Sequence, residues 1–338
     1  TLGIITEVTV RLYAVQEGLV RAVEPWTTVR VHQTNTQTLL LVDVPVRGGV
    51  ALSEGDFAID GVPGTGAEIR LDFSHAVGAS LHRGLLPTGH VRDRLYVPEL
   101  DRDVEVSIVD LANMCLFFPA ETVGLTGVES PRTTSAERLA VWGWIQRAAQ
   151  RLLGVDESLS VPWPIAVAPP TAYTDHLTGR GVAAGEMDFT ARLAVGKFMH
   201  HAFPGTGSSC TAVAARLPGS IVHEVYAARL SDDSVREVCQ VRQEGKVDEE
   251  HRSALVDEVD RTRGAARLAS SDEVRIGHPS GTIALHVAVS VGSAGSTATA
   301  TTAGDLRVEY VRFSRTARRL LDGTAYVSAV RLLPVRSA

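Results

Sequence analysis

The chain has 338 residues, 44% of them hydrophobic, which is ample for a large core and for two domains. Its 39 acidic residues against 33 basic ones give a formal net charge of −6, so a nucleic-acid partner, which wants a basic face, is not expected. Cys115, Cys210 and Cys239 are too few and too scattered for a disulfide framework or a zinc site, and no stretch approaches the roughly 18 apolar residues of a membrane span. No membrane partner and a reducing, cytoplasmic location are therefore expected. The N-terminus lacks a basic region ahead of an apolar one, so no signal peptide is read, and a start at Thr1 points to an incomplete or processed chain. Of the basic residues only Lys197 and Lys246 are lysines. Arginine suits bidentate carboxylate binding.

In chain order, VRVHQTNTQTLLLVDVPV (29–46) alternates and is rich in β-branched residues, as expected of strand. GVPGTG (61–66) predicts a turn; it lacks the lysine of a phosphate loop. AEIRLDF (67–73), DRLYVPEL (93–100) and VEVSIVDLANMCLFFPA (104–120) predict further strands. SPRTTSAERLAVWGWIQRAAQRLLG (130–154) opens on cap-type residues and closes on Gly154, which predicts a helix. VPWPIAVAPPTAY (161–173) predicts a strand between proline-marked turns. MDFTARLAVGKFMHHAF (187–203) reads as a second helix, and Ser208 to Leu217 as a third that is apolar or small on nearly every side, hence buried all round. Residues 227–273 are dense in Asp, Glu and Arg and read as a solvated, partly helical insertion. VGSAGSTATATTAG (291–304) reads as a flexible hairpin tip, and 312–327 as a short helix and a closing strand.

Several catalytic patterns fail. GHPSG (277–281) misses the G-x-S-x-G elbow of a serine hydrolase by one position. VHEVYAARL (222–230) has no second histidine four residues after the first, so a zincin site is not read. His200 and His201 are adjacent and would face different ways on a helix, so no metal site is expected. What survives is PGTG ahead of a buried helix. Glycines let a backbone approach a ligand, free N–H groups at a helix start attract anions, and Thr206, Ser208 and Ser209 carry hydroxyls. The pattern fits an anion cradle, but on the motif alone it more readily fits a cap and turn that only starts a helix, since such caps are common.

MHHAFPGTGSSCTAVAARLPGSIVHE (199–224) resembles the corresponding segment of the PrpF family, the 2-methylaconitate isomerases, 4-oxalomesaconate tautomerases and related aconitate or methylitaconate isomerases. EGDFAIDGVPGTGAEIRLDF (54–73), LLPTGHV (85–91), VSIVDLANMCLFFPAETVGLTG (106–127), VRIGHPSGT (274–282) and SRTARRLLDG (314–323) resemble it in the same order. The resemblance implies an α+β, diaminopimelate-epimerase-like fold: two similar domains, each a curved β-sheet around a central helix, with the substrate in the cleft between them. It divides this chain into 1–84, the remainder of an incomplete first domain; 85–311, the second domain with the insertion 227–273; and 312–338, a segment returning to the first.

The chemistry implied needs no cofactor. A proton leaves carbon next to a carboxylate and another returns elsewhere, moving a double bond in a small unsaturated polycarboxylate. Gly205, Thr206, Gly207 and Ser208 would form the cradle that holds a carboxylate and the enolate-like charge. Asn113 matches a family Asn-Pro position and would bind a substrate carboxylate; His278 and Ser280 lie where the family turns back to the cleft; Asn35 and Thr36 match a family Asn-Thr pair. Cys115, Lys197 and His200 are the acid/base candidates, Cys115 reading either as a thiolate or as a buried strand cysteine, and Cys210 as packing. A homo-oligomer is compatible with this reading.

The family's opening Gly-Gly-Thr-Ser-Lys segment, its Ser-Lys strand and its Gly-Asn-Cys-Gly-Asn motif, which carry its acid/base lysine and cysteine, have no counterpart here. An inactive polycarboxylate-binding remnant is therefore the alternative to an isomerase. TLGIITEVTVRLYAVQE (1–17) resembles instead the end of the FAD-binding domain of glycolate oxidase and D-lactate dehydrogenase type flavoproteins, which makes an FAD-linked oxidoreductase a minor third reading.

Overall fold

The computed structural model describes residues 13–230, 272–291 and 306–317. Its strands, in chain order, are β1 (Trp26–Gln33), β2 (Thr38–Arg47), β3 (Val50–Ala51), β4 (Phe57–Ala58), β5 (Thr65–Gly66), β6 (Ile69–Asp72), β7 (Asp93–Val97), β8 (Arg102–Leu111) and β9 (Asn113–Pro119). They continue with β10 (Trp163–Ala168), β11 (Tyr173–Thr174), β12 (Gly181–Val182), β13 (Phe189–Val195), β14 (Phe198–Met199), β15 (Glu273–His278), β16 (Gly281–Val291) and β17 (Leu306–Arg315). One sheet runs β1-β2-β6-β17-β16-β15-β13-β10-β9-β8-β7, with β3 on β2 and β14 on β13. β9 with β10 and β13 with β15 are parallel. The rest of that path is antiparallel.

The helix Gly205–Ala215 touches β17, β16 and β15 on one side and β9 and β8 on the other. Those strands are far apart in the sheet, so the sheet curls around the helix. Every residue of the helix but Thr206 is buried. This matches the all-round apolar composition, because a helix enclosed by a sheet has no wet face. A second helix, Ala136–Leu153, lies on the opposite face of the sheet, packed on β7 and β10. Ser135 caps it, its Oγ accepting from the Arg138 N–H at 3.4 Å, and Gly154 ends it at φ +66°. With both faces covered, β9 reads as an unbroken apolar run: Cys115 and Phe117 join the core around the central helix, while Met114, Leu116 and Phe118 join the core under the outer one.

Four predicted elements change. The run 29–46 is a hairpin, broken after Gln33 and re-entering at Thr38, with Gln37 at φ +54° in the turn. The run 104–120 is likewise two strands, reversed at Ala112, which takes φ +57°. The stretch 187–203 is not a helix but β13 and β14. β13 is buried along Phe189–Ala194, so it shows no period-2 alternation, and its Arg192 mimics the polar side of a helix. Residues 312–315 extend β17 rather than start a helix, paired with β6 at Arg312↔Asp72 and Arg315↔Ile69. β16 and β17 pair up to Val291↔Leu306, as a hairpin should. Its tip at 292–305, the insertion over 231–271 and the closing strand after 317 lie outside the described residues.

Candidate functional site

A cavity of about 780 Å³ opens at the start of the central helix. Its walls are that start (Phe203 to Thr206), the β8–β9 turn (Ala112, Asn113), the β1–β2 turn (Gln33, Thr36), the loop Ile59–Val62, and His278, Thr282 and Arg315 from β15 to β17. Pro204 precedes the helix without a side-chain cap. The first helical bond is Ser208 N–H to the Pro204 carbonyl at 2.8 Å. The N–H groups of Gly205, Thr206 and Gly207 thus have no intrahelical acceptor, as at any helix start. Gly205 and Thr206 line a cavity instead of facing bulk water, and the helix dipole favours an anion there. Gly205 is fixed by packing: a Cβ on it would stand 2.5 Å from Cζ of Phe313, which is itself stacked on Phe73.

The turn from β15 to β16 is held from several sides. Tyr173 Oη lies 2.6 Å from the His278 carbonyl oxygen and 2.5 Å from that of Gly281, so its one proton is shared between them. Asp60 Oδ2 accepts from Thr282 N–H at 2.7 Å, Thr282 Oγ1 at 3.1 Å and Arg180 Nη2 at 2.9 Å, which ties the Ile59–Val62 loop to the turn. Arg192, 0% exposed, donates Nε to the Glu129 carbonyl at 3.0 Å and Nη1 to the Ala191 and Gly277 carbonyls. His278 is pulled down to about 3 by burial, with the Arg192 and Arg315 charges adding. Its Nδ1 accepts from Ser280 N–H at 3.2 Å, so the neutral ring carries its proton on Nε2. It is a hydrogen-bond donor at neutral pH, not a base.

Of the residues singled out from sequence, Asn113, His200, Gly205, Thr206, His278 and Thr36 line the cavity. The Asn113 side-chain amide makes no hydrogen bond among the described residues. The left-handed Ala112 before it, tied by its N–H to the Ala76 carbonyl at 2.8 Å, sets its direction. Burial pulls His200 below its usual value, and its Nδ1 lies within 3.1 Å of the Ala202 backbone. Gly207 and Ser208 lie deeper in the helix: a Cβ on Gly207 would meet Leu193 at 3.3 Å, and Ser208 Oγ donates to the Gly205 carbonyl at 2.9 Å. Ser280 does not line the cavity; its hydroxyl binds the His201 carbonyl. Asn35 is exposed in the hairpin turn beside Thr36. Lys197 is exposed in the β13–β14 turn, away from the cavity lining. Cys115 is 0% exposed, and burial, with Cys210 beside it, pushes its thiol well up, against forming a thiolate. Cys210 packs in the same core.

The sequence reading did not single out Asp60, Trp163, Thr282 or Arg315. Arg315 stood in a quoted block but was assigned to a helix, and the alternation LRVEYVRFSR (306–315) is the signal that would have placed it on a strand. Asp60 meets Thr282 across 222 residues of sequence, which no local pattern shows. Among the described residues no group of three or more His, Cys, Asp or Glu side chains is arranged to hold a metal ion, and no helix is long and apolar enough to cross a membrane.

The family model for the PrpF protein matches residues 5–240, a span that takes in most of the 1–17 segment. The chain is 34% identical over 331 residues to a 3-methylitaconate isomerase of Eubacterium barkeri, covering 95% of this chain and 72% of that protein. It is 30% identical over 227 residues to a 2-methyl-aconitate isomerase of Shewanella oneidensis, covering 62% of this chain and 56% of that protein, so it spans little more than half of this relative. A solved methylitaconate-delta-isomerase superposes with a TM-score of 0.71 at 31% identity, covering 98% of this chain and 74% of that one. With the sheet wrapped about its central helix and these matches along most of its length, the chain has the α+β, diaminopimelate-epimerase-like fold and belongs to the PrpF family.

Proposed function

We propose that the chain is a cofactor-independent isomerase that shifts a double bond by proton transfer in an unsaturated tricarboxylate such as aconitate, methylaconitate or oxalomesaconate. One observation carries this: the cavity gathers neutral and cationic donors with no free carboxylate to compete. The open N–H groups at the helix start, Thr206, the Asn113 amide and the His278 ring share it, and its one acidic residue, Asp60, is bound to Thr282 and Arg180. Removing a proton beside a carboxylate builds enolate charge, and such preorganised donors stabilise it. His200 is the cavity group suited to carry the proton, since a half-buried imidazole with a lowered pKa is neutral near pH 7. Unpaired buried thiols at Cys115 and Cys210 suit a reducing, cytoplasmic setting.

A second reading has its own observation. Lys197 faces solvent and Cys115 is sealed in the core, so neither supplies the acid/base pair that the family resemblance calls for. On that reading the chain binds polycarboxylates without turning them over. Proton NMR in D2O decides, with the protein added in turn to cis-aconitate, trans-aconitate, methylaconitate and oxalomesaconate. The isomerase reading expects deuterium incorporation or isomer interconversion, at least 10-fold slower in a folded Thr206→Val variant. No exchange with any of the four, from folded protein, sinks it in favour of the second reading.

A further inference from the structure

We propose that Arg315 anchors one substrate carboxylate while the helix start holds another, so that the smallest ligand this cavity takes up well is a dicarboxylate. This rests on the reading above and deepens it by naming the charge class of the ligand. Other arginines here find carboxylates: Arg312 reaches Asp72 at 2.8 Å, Arg275 reaches Asp188 at 2.7 Å, and Arg180 holds Asp60 and Glu186 at 2.9 and 2.8 Å. Arg315 lines the cavity and has no acidic partner among the described residues. Its Nη1 donates to the Ser314 carbonyl at 3.1 Å and its guanidinium lies 4.5 Å from the Phe313 ring centre, contacts that fix its plane and leave Nε and Nη2 open. Asp60 is the one carboxylate in the cavity wall, and three donors already occupy its Oδ2. Burial pulls Arg315 down to about 10, which leaves it charged at neutral pH.

A half-buried guanidinium with open donors, aimed into a cavity and lacking an anion, matches the two oxygens of a carboxylate. Its position relative to the helix start is set by one side chain. The Phe313 ring that Arg315 overlies is the ring whose edge abuts Gly205, so cation and helix start lie one aromatic ring apart. Two carboxylates on a short carbon chain span that separation; a monocarboxylate must leave one of the two sites empty.

The test is isothermal titration of the full chain with trans-aconitate and with crotonate, a monocarboxylate, for wild type, Arg315→Met and Arg315→Lys. The anchor predicts that Arg315→Met weakens trans-aconitate about 10- to 100-fold and leaves crotonate within 3-fold, and that Arg315→Lys, which keeps the charge but not the fork, falls between. Equal loss on both ligands, or no loss on trans-aconitate, overturns it. If Arg315→Met does not fold, Arg315→Lys decides: wild-type affinity for trans-aconitate in that variant overturns the anchor, and selective weakening supports it. Wild-type protein that binds trans-aconitate no better than crotonate overturns it outright. The two readings fail separately: Arg315-dependent binding without deuterium exchange sinks the isomerase and keeps the anchor, and exchange with Arg315-independent binding does the reverse.

Discussion

Two arginines flank the His278 turn, and both are drawn down to about 10 by burial, yet their surroundings differ. Arg192 is enclosed: three backbone carbonyls take its Nε–H and Nη1–H groups, its Nη2 is sealed from the cavity without a partner among the described residues, and its guanidinium lies 5.1 Å from the Tyr173 ring, whose hydroxyl in turn meets the turn's carbonyls. Arg315 faces the cavity and has one backbone acceptor. A buried cation wrapped by carbonyls stabilises the protein's own backbone, whereas one with open donors in a cavity awaits an anion. The same contrast holds within the central helix, where Ser208 and Ser209 turn their hydroxyls onto the Gly205 carbonyl while Thr206 lines the cavity.

Removing each arginine in turn separates the two roles most strongly. Arg192→Met orphans the carbonyls of Glu129, Ala191 and Gly277, and should cost roughly 2–4 kcal/mol in urea unfolding. Arg315→Met should change stability by less than about 1 kcal/mol, because it leaves one carbonyl beside an open cavity. Equal losses would erase the distinction. Next, Gly205→Ala presses a methyl group into Phe313, held against Phe73, and should destabilise by about 1–3 kcal/mol.

The third effect is acid sensitivity. His278 is about 3 in the folded chain and 6.5 when unperturbed, so below pH 6.5 the unfolded chain binds the extra proton and stability falls with pH. The slope approaches about 1.4 kcal/mol per pH unit as pH drops from 6.5 towards 5, ahead of carboxylate protonation, and His200 adds in the same sense. Denaturant midpoints against pH should flatten in His278→Gln, and an unchanged slope would contradict the buried neutral ring. The smallest effect belongs to Lys197→Ala, expected to stay within about 0.5 kcal/mol in stability and within 2-fold in deuterium exchange. A large loss of exchange would restore that lysine as an acid/base group.

Elements whose burial leaves a local trace were legible in the sequence. Ser135 and Gly154 mark the outer helix, and the small-residue run after Gly205 marks the enclosed one, with its cavity-facing start in PGTG. β13 was not legible, since a strand buried along Phe189–Ala194 carries the same composition as a buried helix. In the site, Thr206 was marked by its own glycine-flanked loop, whereas Asn113 and His278 were named only through the family resemblance, and the turn at Ala112 that presents Asn113 was read as unbroken strand. What depends on two segments was not visible, because Arg315 and Gly205 are joined only through Phe313, and Asp60 reaches Thr282 from the other end of the chain.

The central claim is that a polycarboxylate seats one carboxylate on the start of the helix. The most direct measurement is the amide spectrum of 15N-labelled protein titrated with tricarballylate, a saturated tricarboxylate that cannot isomerise. A carboxylate seated there shifts the Gly205, Thr206 and Gly207 amides saturably downfield, with the Arg315 Nε–H signal shifting over the same concentration range. Saturable binding that leaves those three amides unmoved, or no binding at all by folded protein, would contradict the claim.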